Sequence, residues 1–195
     1  MAIYPERVPP YRTVLMDPPW NEQGGGKVKR GADRHYPLMK RHGILEAVLC
    51  CPLWQGVADN AHLYMWVTNN FLEDGLWLMD ALNFRYKTNF VWTKAGAQGL
   101  GQYFRGMHEL CLFGTKGKKP TEPRTEARNI GSHLDAPRRA HSQKPEASYN
   151  LIERRSKGPY LELFARDRRD GWATWGNELH PLRGGPSTQE LLGGG

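Results

Sequence analysis

The chain has 195 residues, 39% apolar and 24% charged, which suits a single globular domain with a core of its own. Its 27 Lys and Arg exceed its 20 Asp and Glu, and the resulting net charge of +7 suits a polyanionic partner such as nucleic acid. No apolar run approaches the roughly 18 residues of a membrane span, "MAIYPERVPPYR" lacks the apolar centre of a secretory leader, and Cys50, Cys51 and Cys111 have neither metal-ligand spacing nor the even count of a disulfide set. The expectation is a reduced, intracellular protein with no membrane partner and no metal.

Along the chain, "RTVLM" (12–16) is a nearly continuous apolar run, as in a buried parallel strand. "GILEAVLCCPLW" (43–54) has helical spacing. "HLYMWVT" (62–68) predicts a strand, and "NFLEDGLWLMDAL" (70–82) a helix capped by Asn69 or Asn70. "FRYKTNFVWTK" (84–94) alternates at period two through Phe84, Tyr86, Thr88, Phe90 and Trp92, and "HELCLFGT" (108–115) is a further strand. "KPEASYNLIERRS" (144–156) predicts a helix with Pro145 at its first position, where a missing N–H costs nothing. "YLELFA" (160–165) and "GWATWG" (171–176) are the last strands. This alternation predicts a layered α/β domain, mostly parallel in its sheet, with ligands outside the carboxyl ends of the strands. Asp17 and Arg166 each follow a strand, so both are placed to face one crevice.

Three segments read as irregular: 21–35, 94–107 and 115–143, the last with a short strand expected near Asn129 to His133. The domain is expected over 1–180. Residues 181–195 have the composition of a linker and form an unpacked tail. Basic residues gather in two of the irregular segments. Lys27, Lys29, Arg30 and Arg34 lie in the first; Lys116, Lys118, Lys119, Arg138 and Arg139 lie in the third, and both groups are candidates for gripping phosphates. Tyr103 and Arg105, in the middle segment, are candidates for lining a base pocket. Charge runs of this kind also occur as ordinary solvated surface.

"DPPW" (17–20) closes the first strand. As turn chemistry, Asp-Pro-Pro is commonplace. As site chemistry, it is a clamp for a flat ring bearing an amine. In adenine the exocyclic nitrogen donates its lone pair to the ring and is a poor nucleophile. Two acceptors on its two N–H bonds, the Asp17 carboxylate and the Pro18 carbonyl, would pull that nitrogen towards a tetrahedral shape. Pro19 restrains the Pro18 backbone, and Trp20 offers a face for stacking.

The motif has company. "DPPW", "HYPLM" (35–39), "MWVTN" (65–69), "FVWTK" (90–94), "HELCLFGTKGK" (108–118), "HSQKPEASYNLIERRS" (141–156), "LELFAR" (161–166) and "GWATWGNEL" (171–179) stand in order. In this the chain resembles the DPPW-type (METTL-like) adenine N6-methyltransferases over roughly residues 10 to 180. The resemblance implies a Rossmann-like fold that uses S-adenosylmethionine, with helices on both faces of the sheet and the catalytic motif ahead of the cofactor segments. It implies that Asp17, Pro18, Pro19 and Trp20 hold the target base. Lys144 then meets the cofactor's carboxylate, Arg166, Asn177 and Glu178 its ribose, and Asp17 borders both ligands. "LFARDRRDGW" (163–172) lacks the glycine-rich loop of better-known methyltransferases, a departure the resembled family shares. The expected activity is methylation of adenine N6 in nucleic acid, with DNA favoured by the compact chain. RNA as substrate, or a non-catalytic scaffold subunit, are the alternatives. A homodimer and a heterodimer both stay open.

Overall fold

The computed structural model describes residues 10–21, 38–95, 103–118, 129–137 and 143–176. Seven strands form one sheet: β1 (Tyr11–Met16), β2 (Val57–Val67), β3 (Arg85–Ala95), β4 (His108–Lys116), β5 (His133–Pro137), β6 (Tyr160–Leu163) and β7 (Trp172–Trp175). Their spatial order is β5-β3-β4-β2-β1-β6-β7. β4 is antiparallel to both β2 and β3, and all other neighbours are parallel, so six strands point one way.

The continuous apolar run of β1 follows from its central place, where both faces are covered. Val14 and Met16 turn to one side, with Leu63 and Met65 of β2. There they pack on Ile44 and Val48 of α1 (Arg41–Cys50) and on Leu78 and Met79 of α2 (Leu72–Ala81). Leu15 turns to the other side, with Tyr64, Trp66 and Cys111, against Ile152 of α3 (Glu146–Arg155). This is the predicted architecture, and each such aliphatic side chain contributes about 1.5–3 kcal/mol by leaving water. No helix among the described residues is long and apolar enough to cross a membrane.

Local departures have local causes. The helix expected over 43–54 ends at Cys50, because Pro52 starts a separate 3₁₀ turn, Pro52–Gly56. Asn69 and Asn70 do not cap α2; they form a 3₁₀ turn, Asn69–Phe71, and Phe71 takes the cap position without a side-chain bond. Pro145 sits at the N-cap of α3 rather than one residue inside it. The period-two reading of β3 fails at Tyr86 and Thr88, where the register with β4 shifts and both side chains are exposed. The small strand expected near 129–133 is β5, four residues further on.

At the middle of the sheet the chain path divides. β1 leads through α1 to its neighbour β2, whereas β6 leads to β7 on the opposite side. The gap beyond the carboxyl ends of β1 and β6 is therefore the topological switch point, where such sheets leave room for a ligand.

Candidate active site

A cavity of about 530 Å³ lies at that switch point, within the usual range for small-molecule sites. Its wall includes Asp17 after β1, Trp66 of β2, Lys144 and Tyr149 at the start of α3, and Glu162, Phe164 and Arg166 from β6 and its exit. Asp17 and Arg166, expected on one crevice from sequence, are on one crevice.

The tetrapeptide 17–20 is a rigid turn. The Pro18 carbonyl accepts the Trp20 N–H at 2.8 Å, and the Pro19 carbonyl accepts the Met39 N–H at 2.8 Å. Pro18 itself is buried and lines neither cavity among the described residues, so its carbonyl is fixed by the turn rather than displayed on the cavity wall. Trp20 departs from expectation. Its ring is only 7% exposed, stacks on Phe71 with centroids 5.6 Å apart, and donates from Nε1 to the Trp66 carbonyl at 2.9 Å. It borders a separate cavity of about 250 Å³ with Met39 and Phe71, rather than the one that Asp17 lines. In this structure Trp20 therefore anchors the turn to the core and presents no open stacking face to the larger cavity.

Lys144 immediately precedes the α3 N-cap and is mostly buried. Its Nζ donates to Asp17 Oδ2 at 2.7 Å and lies 3.4 Å from Glu109 Oε2. Burial alone would lower its pKa, but the charges of Asp17 and Glu109 outweigh that and raise it. Burial likewise pushes Glu109 up, yet Lys144 and Lys94 more than offset it and hold its carboxyl below the usual range. Lys94 also pairs with Glu109. A chain of alternating charge thus runs from β3 through β4 to the end of β1.

Glu162 is different. It is 8% exposed and accepts a hydrogen bond from Tyr149 Oη at 2.8 Å. Burial pushes its carboxyl up to about 7, with Asp17 and Asp167 adding to the rise and Tyr149 and Arg169 opposing it. Phe164, directly after β6, has φ of 61°, a left-handed conformation that costs a bulky residue about 1–3 kcal/mol. That residue makes the turn for which other nucleotide folds use glycine. Beyond it, Gly176 at the exit of β7 lies so close that an added Cβ would fall 2.1 Å from the Ala165 carbonyl oxygen.

The sequence pattern of the MT-A70 family matches residues 11–178, which takes in every strand of this sheet. The chain belongs to the MT-A70 family. Among MT-A70 relatives, the type II methyltransferase M.MunI of Mycoplasma sp is 32% identical over 190 residues, covering 87% of this chain and 78% of its own length. The N(6)-adenosine-methyltransferase catalytic subunit METTL3 of Homo sapiens is 28% identical over 186 residues, covering 87% of this chain but 28% of its own. The human N(6)-adenine-specific methyltransferase METTL4 is 27% identical, with 37% of its length covered. The chain spans well under half of these two human relatives.

MT-A70 methyltransferases generally use S-adenosylmethionine, and the cavity suits it chemically. That molecule carries a sulfonium, an ammonium and a carboxylate. Among the described residues, six carboxylates and four cations line the wall, an excess that favours a ligand of net positive charge. Lys144 lines the same wall just ahead of the α3 N-terminus, whose partial positive charge favours an anion; in this structure its ammonium is held by Asp17 and Glu109. Trp66 lines the same wall, with its indole N–H buried and without an acceptor among the described residues.

The residues expected from charge and loop position to touch nucleic acid are not gathered at the cavity among the described residues. Tyr103 is 93% exposed and Arg105 is exposed, both just ahead of β4 at the carboxyl edge of the sheet, so neither lines the cavity. Lys116 and Lys118 are at the other end. Leu110 of β4 pairs with Val67 at the carboxyl end of β2, and Lys116 with Ala61 six residues back. That separation is about 20 Å along the strand. They do not face the ligand crevice. Lys27, Lys29, Arg30, Arg34, Lys119, Arg138, Arg139, Asn177 and Glu178 lie outside the described residues. Sequence reasoning missed Glu109, Tyr149, Trp66 and Glu162 as parts of the site. The two acids, Glu109 and Glu162, had a legible mark: each is the only acid in a largely apolar strand, and a charge there needs a built partner.

Proposed function

We propose that this chain transfers a methyl group from S-adenosylmethionine to the exocyclic N6 of adenine in DNA. The observation that carries this is Asp17 at the edge of an acid-rich cavity, with the Pro18 carbonyl fixed beside it. The bound cofactor supplies an electrophilic methyl on a sulfonium. The chain's residues do the rest. Asp17 and the Pro18 oxygen accept the two N–H bonds of the amine, which weakens the conjugation of the nitrogen lone pair with the ring. Both acceptors are set before the base arrives, as electrostatic preorganisation requires. Lys144 faces the cofactor's carboxylate, while Arg166, Asn177 and Glu178 meet its ribose. Trp20 serves by pinning the turn.

A base inside a duplex cannot reach such a crevice and has to be flipped out of the stack. Tyr103 and Arg105 stand at the crevice edge of the sheet, where a flanking strand would pass. DNA is preferred because the type II methyltransferase M.MunI matches over most of both chains, whereas the adenosine methyltransferase METTL3 is covered over only 28% of its length. Incubation with labelled S-adenosylmethionine and matched DNA and RNA pools, followed by nucleoside analysis, tests the reading. N6-methyladenine in the DNA pool is expected, label in RNA alone would move the assignment to RNA, and label in neither would end it. Asp17→Ala should lower turnover at least about a hundredfold with cofactor affinity largely kept; undiminished methylation in that variant would reject the clamp.

A further inference from the structure

Glu162 stands in the cavity wall without a paired cation among the described residues. The groups around it are already committed. Arg169 pairs with Glu146 and Glu153 and lies over the Tyr149 ring at 4.0 Å. Lys144 is held by Asp17 and Glu109. From α3 the group facing Glu162 is the Tyr149 phenol, a neutral donor. From the end of β1 it is Asp17, and from the segment after β6 it is Asp167, both of like charge. Arg166, Arg168 and Asp170 complete the charged wall on that side. Among the described residues a carboxyl so placed has no ion-pair partner, and the one opposing charge that acts on it, Arg169, is itself paired elsewhere.

We propose that Glu162, held by Tyr149, discriminates the charged methyl donor from its neutral product: a sulfonium in the cavity ionises this carboxyl and expels its proton to solvent, whereas a thioether does not. The inference rests on the cofactor reading above and deepens it. A nearby cation favours the carboxylate, so the carboxyl that titrates near 7 in the free protein titrates lower in the complex. Binding of the donor then releases a proton, and its affinity rises with pH through neutrality. Once the methyl has left, the sulfur is uncharged, Glu162 takes a proton back from solvent, and the reason to prefer that ligand is gone.

Calorimetry of S-adenosylmethionine and S-adenosylhomocysteine, each in two buffers of different ionisation heat, measures the proton count directly and needs no turnover. At pH 7 the wild type should release about half a proton more than Glu162→Gln on binding the sulfonium, and no more than it on binding the thioether. The comparison between proteins cancels the titration of the ligand's own amine. The preference for donor over product should rise about tenfold from pH 6 to pH 8 in the wild type and stay flat in Glu162→Gln. Tyr149→Phe removes a bond that holds the carboxyl down, so its midpoint should move to higher pH; a Tyr149 that merely packs would leave the midpoint alone. Equal proton counts in wild type and Glu162→Gln, or equal counts for the two ligands, overturn the proposal while leaving the cofactor reading intact. Binding of neither ligand removes both.

Discussion

At the scale of single residues, an unusual group reports itself through stability. The Glu162 carboxyl titrates near 7 in the folded protein and near 4.5 when unfolded. Below pH 4.5 both states hold the proton and the site costs nothing. As pH rises from there to 7 the unfolded chain ionises first, so stability is lost over that window, by on the order of 3 kcal/mol once both are charged. Glu162→Gln, tested without ligand, should therefore raise the melting temperature at pH 8 and leave it almost unchanged at pH 4.5; equal shifts at both would point to packing instead. Residue identity was legible for Asp17, because a carboxylate at the end of an apolar strand has few places to point. The burial of Trp20 was not. Nothing in four letters states that Phe71, fifty-one positions away, covers one face of the indole, or that the Trp66 carbonyl takes its N–H.

At the scale of elements, α2 is held against the sheet by the absence of a side chain. A Cβ at Gly75 would sit 2.6 Å from Val67 Cγ1 and 3.1 Å from Leu112 Cδ1, both buried in strands. Helix propensity alone would make Gly75→Ala stabilising by about 1 kcal/mol. Overpacking a filled interface costs about 1–3 kcal/mol, and the short branched Val67 has no room to yield. We expect the variant to be less stable by about 1 kcal/mol in urea denaturation, and Val67→Ala in the same background to cost less than the two changes summed. The elements themselves were mostly legible, since a central strand buried on both faces must be largely apolar, and β1 from Val14 to Met16 is. Their ends were not, because Pro52, the 3₁₀ turn at Asn69–Phe71 and the bulge after Tyr86 are settled by neighbours in space. Strand direction within the sheet was equally hidden. Only the antiparallel course of β4 carries Lys116, a candidate for gripping phosphates, away from the crevice.

At the scale of the whole molecule, charge is sorted by place. The chain carries +7, yet the described wall of its main cavity holds more acids than bases, so the cationic excess lies outside that cavity. The proposed activity needs two ligands of opposite sign, a cationic donor and a polyanion, and this division lets one protein attract both without crossing them. The two interactions should then answer salt differently. Nucleic-acid binding driven by displaced counterions should lose affinity steeply, by on the order of tenfold or more between 50 and 200 mM salt if several phosphates are gripped. Donor binding inside a cavity, where screening is weaker, should change far less over the same range. Parallel titrations of a DNA duplex and of S-adenosylmethionine across that series measure both slopes. Neutralising Arg138 and Arg139 together should flatten the first and leave the second, because a phosphate contact adds to the salt slope and a contact made elsewhere does not. A slope unchanged by that double substitution would place the polyanion on other basic residues, with Arg105 at the crevice edge the next to test.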